Sequence, residues 1–486
     1  MKNTSKDLPA WKQSALREIP AIEEILQSAE ISALAASFPR SVVVNLARNV
    51  LAGIRERIIS ADKTPADGNI IPDNAHIVLE IKNAIRGKMQ SQFRRAINGT
   101  GIVLNTSLGR AVLSDEVLKA FNSALSGYTR LAVDLKTGKR KSRDTIIEEL
   151  LCEITGAEAA TIANNNAAAT ILILSTLLKG KEVICSRGQM VEIGGSFRIP
   201  EIMETSGAKL VGVGTTNRTH LKDYEKAITK QTGAILRVHN SNYKIVGFTS
   251  DVPIGDIVKI AHKRKLLAID DIGSGALVDL ASYGFADEPL VSDSVKAGAD
   301  VVSFSGDKLL GGPQCGIILG RKKYIDLIRK NPLARAFRVG KLTLVALEAT
   351  LKLFRDKETI LKTNPTLRML MMDLKAIEER AVLLKDKILG AVNSVDVNVI
   401  DEFSQPGSGS LAGYDIPTKV VAIKSKAMPT QLLAEKLRAR DIPVFTRIKG
   451  DKILIDLRTI LEGEEAEIVS ALSAFGGSAR GGKDIP

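Results

Sequence analysis

The chain has 486 residues, 44% of them hydrophobic, which is material for two or three compact domains and excludes a disordered protein. Its 68 Lys and Arg outnumber 55 Asp and Glu, a net charge of +13, so a polyanionic partner competes with simple solubility as the explanation. Aromatic residues make up 4% with a single Trp, and no apolar run nears the roughly 20 residues a membrane helix needs, which excludes a base-stacking surface and a membrane span.

Met1 to Pro20 mixes charges and has no apolar stretch of a signal peptide. Ile22, Ile25, Leu26, Ile31 and Leu34 recur at helical spacing, as do Val42 to Ile58, with Ser41 as a candidate N-cap. A loop rich in Asp, Pro and Gly, from Ala61 to Asn74, then marks a domain boundary. A further helix, about Ala75 to Arg95, leads into the Ile97–Leu104 segment; residues 1–95 carry 14 basic against 10 acidic side chains. From there to about residue 340, short apolar runs alternate with helical stretches. The runs are Ala160–Ile162, Glu182–Ile184, Lys209–Val213, Ala234–Val238, Leu266–Ile269, Val301–Phe304 and Gly316–Leu319. The intervening helices include Ala167–Leu178, Val252–Lys263 and Glu288–Ala297. Such alternation predicts a mostly parallel sheet covered on both faces, with its ligand beyond the carboxyl ends of the strands. Helices over Lys341–Arg355 and Pro365–Leu389, a loop over Asp401–Gly413, and a small α+β set from Lys419 to Leu457 complete the chain. The predicted domains are 1–75, helical; 76–345, large α/β; and 346–486, small α+β.

Three stretches carry chemistry. Asn164-Asn165-Asn166-Ala167 opens a helix, whose N-terminus attracts phosphate through its free N–H groups. Asp271 ends a strand before Gly-Ser-Gly and is placed to face a pyridinium nitrogen. Lys308 stands beyond another strand, where a buried amine forms a Schiff base with an aldehyde, and Ser305 three residues earlier suits a phosphate oxygen. Singly, they read more readily as a surface lysine, a turn-capping or cation-binding Asp, and a plain helix cap. Together, in this order and spacing, they match the fold-type I pyridoxal 5'-phosphate enzymes. His239 ends a further strand and is either a cofactor contact or a satisfied core histidine. The three cysteines, Cys152, Cys185 and Cys315, are too scattered for disulfides or zinc, so no metal is expected. Cys315 reads as a buried thiol.

Longer motifs extend the match. They include Leu104-Asn-Thr-Ser-Leu-Gly-Arg110, Asp134-Leu-Lys-Thr-Gly-Lys-Arg140, the run from Ser186 to Pro200, Val213 to His220, Phe304 to Gln314, and Ile453 to Thr459. Over nearly its whole length the chain resembles the bacterial L-seryl-tRNA(Sec) selenium transferase family, the selenocysteine synthases. Two positions depart from the family's pattern: Asn105, where His is usual, and Asp144, where an aromatic residue or His is common. The resemblance implies an aspartate-aminotransferase-like fold and conversion of seryl-tRNA(Sec) to selenocysteinyl-tRNA(Sec) with selenophosphate. It implies Lys308 as the cofactor lysine and base, Asp271 on the ring nitrogen, and an aminoacrylyl ester to which selenium adds. It further implies a cytoplasmic homo-oligomer of dimers, a decamer in the family's manner. Shorter relatives of the same cofactor class are lyases of small amino acids or amino sugars, and these supply the alternative function. An RNA-binding protein with a dead cofactor fold is a third reading, opposed by the retained Lys308 and Asp271.

Two further expectations concern anions. Residues 1 to about 75 are expected to bind tRNA, with dimerisation or packing as the alternative. Arg110, Arg335 and Arg338 are expected to hold selenophosphate, since a guanidinium forks onto phosphate oxygens. Arg335 and Arg338, three apart, are expected on one helix face. Contact with tRNA phosphates is the competing role for that pair.

Overall fold

The computed structural model describes residues 8–61, 73–89, 91–356, 358–407 and 409–475. The chain divides into two compact units, Met1–Arg95 and Ala96–Pro486. In the first, helices Arg40–Ser60 and Asn74–Met89 carry most of the core. The former buries Val43, Ala47, Leu51, Ile54 and Ile58, the latter Ile77, Ile81 and Ile85, and three- and four-residue spacing puts each set on one face. Because those last three isoleucines belong to this core, the unit runs to Arg95 and does not end near residue 75. The long helix starts at Arg40 behind Pro39, so Ser41 lies inside it and is not the cap. The Asp/Pro/Gly segment 62–72 lies outside the described residues.

The second unit is built on a seven-stranded sheet. Its strands are β1 (Ala159–Ala163), β2 (Glu182–Ser186), β3 (Lys209–Val213), β4 (Thr232–Val238), β5 (Leu267–Gly273), β6 (Val301–Ser305) and β7 (Gly316–Gly320). Their order is β1-β7-β6-β5-β4-β2-β3; β7 runs antiparallel to both neighbours and every other pair is parallel. All seven predicted runs are strands. Strands covered on both faces must be apolar in both directions, and alternate residues do enter different cores. Ala268, Val302 and Phe304 join one face; Ile269 and Val301 join the other.

A six-stranded sheet forms the small C-terminal part, in the order Ile97–Gly99, Val444–Lys449, Lys452–Asp456, Ile416–Ser425, Val395–Gly407, Ile102–Leu104. Both edge strands come from before the large sheet, so this part also takes residues 97–104, which the sequence assigns to the large domain. Three expected elements change. The Asp401–Gly413 loop is strand as far as Gly407, because Val395–Ser404 pairs residue by residue with Ile416–Ser425. The Pro365–Leu389 helix is two helices, Pro365–Leu370 and Leu374–Ala391; the Asp373 side chain accepts from the N–H groups of Lys375 and Ala376 and starts the second. The Glu288–Ala297 helix is only Val291–Lys296, which leaves Glu288 outside it.

The Asp456–Thr459 turn locks the sheet to its edge strands. Fully buried Arg458 donates from Nη1 to the Met369 carbonyl (2.9 Å), from Nη2 to that of Pro417 (2.7 Å) and from Nε to Ser404 Oγ (3.1 Å). Thr459 Oγ1 donates to the Asn98 carbonyl (2.5 Å) and accepts from Gly101 N–H (3.1 Å). Gly101, at φ 73°, packs so closely on the Asp456 carboxylate that a Cβ there would collide with it.

Candidate active site

The carboxyl ends of β1, β4, β5 and β6 gather the predicted residues. Asp271, 3% exposed, lies in β5 and pairs with Ser303 of β6; Lys308, 6% exposed, follows β6 by three residues. Asn166 Nδ2 donates to Asp271 Oδ1 (2.8 Å) and Thr170 Oγ1 to Oδ2 (3.0 Å). Those donors stand one turn apart on helix Asn166–Leu177, so one helix face holds both carboxylate oxygens. Burial pushes the Asp271 carboxyl above its ordinary pKa, while the two hydrogen bonds and the Lys308 charge oppose this. Burial, then the Arg110 charge, pushes the Lys308 amine below its ordinary value, which favours the free nucleophilic amine.

The phosphate cradle differs from the expected one in its donors. Asn165 Oδ1 accepts from Ala168 N–H (2.8 Å) and caps its own helix, and Asn166 is committed to Asp271. What remains for an anion is backbone: the N–H groups of Asn166 and Ala167, first in the helix, have no intrahelical acceptor. Ser305 pairs across β6–β7 with Gly316, which pairs in turn with Ala163 of β1. Gly316 lies so close to the Asn165 carbonyl that a Cβ would overlap it, so its lack of a side chain brings Ser305 beside the helix N-terminus.

His239 donates its backbone N–H to the Asp271 carbonyl (2.9 Å). Burial lowers its imidazole pKa to about 4, so the ring is neutral at neutral pH. His239 Nδ1, Asn166 Oδ1 and Ser303 Oγ are buried without a partner among the described residues. Buried polar atoms need partners, and these three, beside Asp271, mark where a polar ligand would be held. The residues fit pyridoxal phosphate: an amine for the aldehyde, a carboxylate for the ring nitrogen, backbone donors and Ser305 for the phosphate.

The arginines fall in two places. Arg110, held at φ 64°, donates from Nη1 to Asp307 Oδ2 (2.7 Å) beside Lys308. Arg335 and Arg338 are exposed; the Arg143 charge, with those of Arg335 and Arg140, pushes the Arg338 pKa below its ordinary value, opposed by Asp144. The helix there is only Pro332–Ala336, so the pair does not share a helix face; Arg338 follows Phe337, whose carbonyl accepts from Asn164 N–H (2.9 Å). Beside the cofactor residues opens a cleft of about 480 Å³ lined by Gln189, Arg218, His239, Lys244, Glu288 and Leu411 among others.

Comparison with known proteins decides the family. Residues 96–461 match the family described as L-seryl-tRNA selenium transferase, and residues 16–55 that described as selenocysteine synthase N terminal. The L-seryl-tRNA(Sec) selenium transferase of Alkaliphilus metalliredigens is 47% identical over 95% of this chain and 98% of its own. That of Geobacter sulfurreducens is 43% identical over 93% and 98%. This chain belongs to the L-seryl-tRNA selenium transferase family. A solved D-glucosaminate-6-phosphate ammonia-lyase aligns over 81% of the chain and 99% of its own, with a TM-score of 0.55 at 22% identity, a likeness of fold. The fold is the fold-type I arrangement expected from the sequence.

The two departures from the family pattern have local roles. Asn105 Oδ1 accepts from Ser107 N–H (3.1 Å) and starts the Thr106–Leu108 turn before Arg110. Asp144 accepts from Thr161 Oγ1 (3.1 Å); burial raises its pKa, opposed by that bond and by the Arg329 and Arg143 charges. Cys315 is buried, and burial raises its thiol pKa, as expected of a packed thiol. Sequence reading missed Thr170, Asp307, Glu288 and Gly409. Thr170, four residues beyond Asn166 on a helix, carried a usable signal. Glu288 and Gly409 carried none, since their partners are distant in sequence.

Proposed function

We propose that the protein converts the seryl group on tRNA(Sec) to a selenocysteinyl group in selenocysteine biosynthesis, with pyridoxal phosphate as cofactor and selenophosphate as selenium donor. Family membership supports the reaction; the single observation that carries it to residues is the buried Lys308 amine beside an Asp271 carboxylate gripped by Asn166 and Thr170. When bound, the cofactor supplies an electron sink for the charge left on Cα when its proton is removed. Asp271 keeps the ring nitrogen protonated, so that sink stays open. Lys308, with its pKa lowered, would hold the cofactor's aldehyde and, once the seryl amine has replaced it there, would be free as the base that takes the Cα proton on Nζ. The net change at Cβ forms a C–Se bond and breaks the C–O bond and the Se–P bond of selenophosphate: the hydroxyl leaves with a proton as water, and a water takes the phosphoryl group away as inorganic phosphate. Arg110 holds the incoming anion near Lys308, while Arg335 and Arg338 contact either selenophosphate or tRNA phosphates. The Met1–Arg95 unit binds the tRNA body, and the active enzyme is an oligomer of dimers, as a decamer. A charged tRNA substrate favours a cytoplasmic reaction; no described helix is long and apolar enough to cross a membrane.

The test is reconstitution with pyridoxal phosphate, seryl-tRNA(Sec) and selenophosphate, scored for selenocysteinyl-tRNA. Turnover is expected, and Lys308→Ala should lose both turnover and the visible absorbance of lysine-bound cofactor. Turnover of free serine or an amino sugar without tRNA refutes the proposal.

A further inference from the structure

Beyond the residues that face the cofactor, one carboxylate ties together two segments far apart in the chain. Glu288 Oε1 accepts from Ser274 Oγ, which follows the Asp271–Gly273 strand end. Its Oε2 accepts from Leu411 N–H (3.3 Å), 123 residues away. Ser274 continues the link, since its carbonyl accepts from Leu309 N–H (3.1 Å), the residue after Lys308. On the other side, Gly409 at φ 83° sits so near Lys308 that a Cβ would lie 2.6 Å from Nζ. Between them, Ser410 is fully buried and its Oγ has no partner among the described residues. Leu411 is held at φ 50°, a conformation unfavourable for a side chain of its size. Such a backbone persists only where surrounding contacts determine it, and the Glu288 bond is one of those contacts.

We propose that Glu288 is a positioning residue: by bridging Ser274 to Leu411 it latches the Gly409–Leu411 strap against Lys308 and fixes where the amine stands for proton transfer. The inference rests on Lys308 being the cofactor lysine. Glu288 lines the cleft as well as the latch, so a role in direct proton transfer to substrate is the competing reading. The two differ in what glutamine can replace. A glutamine at this position keeps an oxygen for Leu411 N–H and an amide for Ser274 but carries no transferable proton.

The experiment compares the full-length holoenzyme with Glu288→Ala, Glu288→Gln and Ser274→Ala, each checked for fold by circular dichroism. Hydrogen exchange of the peptide spanning Gly409–Tyr414 reports the latch, and kcat and KM for seryl-tRNA report its effect. Glu288→Ala should speed exchange of that peptide at least tenfold and lower kcat on the order of tenfold, with KM changed less than twofold. Ser274→Ala should shift both in the same direction, and Glu288→Gln should restore protection and most of the turnover. Unchanged exchange in Glu288→Ala overturns the proposal. So does a Glu288→Gln that loses turnover as fully as alanine, because the proton and not the bond is then required. Exchange is also read without cofactor, so a failed latch is distinguishable from a misassigned Lys308, which the visible absorbance of Lys308→Ala tests separately.

Discussion

In the proposed reaction, Asp271 and its two donors form the smallest unit on which the chemistry would depend. Asp271→Asn cannot hold a proton on a ring nitrogen, so kcat should fall on the order of 100-fold or more with Lys308-bound cofactor still visible, and stopped-flow absorbance would measure both. Thr170→Val removes one hydrogen bond to a buried charge; a loss of roughly 10- to 150-fold in kcat is expected from about 1.5–3 kcal/mol for such bonds. Glu288 offers a test by pH. Burial pushes its pKa up to about 7, against opposing bonds from Ser274 and Leu411 and the Lys308 charge. A carboxyl whose folded pKa is raised contributes stability below its unfolded value, and that contribution is lost as pH climbs through about 7. Glu288→Gln has no such loss, so its Tm relative to the parent should rise between pH 5 and pH 8. A difference that stays flat across that range would refute the shift. At this scale Lys308 and Asp271 were legible because each sits in a short local motif. Glu288 was not, because everything that makes it unusual lies at Ser274, Lys308 and Leu411.

Strands and helices were legible where burial is uniform and not where pairing overrides composition. Six of the seven runs of the large sheet are buried almost throughout, so unbroken apolar character locates them, while the edge run Lys209–Val213 is only partly buried. The 401–407 segment, which ends in Gln-Pro-Gly, reads as the start of a loop, yet Ile416–Ser425 on one side and Ile102–Leu104 on the other hold it as strand. Composition cannot report a partner 300 residues upstream. The strap that continues this strand has its own consequence. Gly409→Ala puts a methyl 2.6 Å from the flexible end of Lys308, which must move aside. With φ positive there, a stability loss of about 1 kcal/mol accompanies the change. The expected signature is a folded protein with displaced cofactor absorbance and depressed turnover. Arg458 illustrates the opposite case. Its guanidinium is fully satisfied in the core, and Arg458→Ala leaves several buried carbonyls and Ser404 without donors. A loss of about 3–5 kcal/mol is expected, read by urea unfolding.

For the molecule as a whole, the division at Arg95 separates a helical unit from one holding every proposed cofactor residue. A chain beginning at Ala96 should therefore bind pyridoxal phosphate with normal absorbance and lose affinity for seryl-tRNA(Sec) by filter binding. Unchanged affinity would assign the helices another role. The Pro/Gly/Asp stretch of the sequence lies within the first unit and is not the break at Arg95, because Ile77, Ile81 and Ile85 beyond it reveal their allegiance only when packed. The order of strands along the chain also bears on how the protein is made. Ile97–Gly99 and Ile102–Leu104 emerge from the ribosome before the large sheet, yet pair with Val444–Thr446 and with Gln405 and Gly407. At about 5–20 residues per second, the roughly 350 residues separating Ile97 from Val444 take on the order of 20–70 s to synthesise. Over most of that interval the nascent chain carries two strands, Ile102–Leu104 the more apolar, without their sheet, while the seven-stranded layer behind them can already close. Newborn chains thus need shielding at one short stretch, and slowing translation past residue 350 should lengthen its capture by a chaperone.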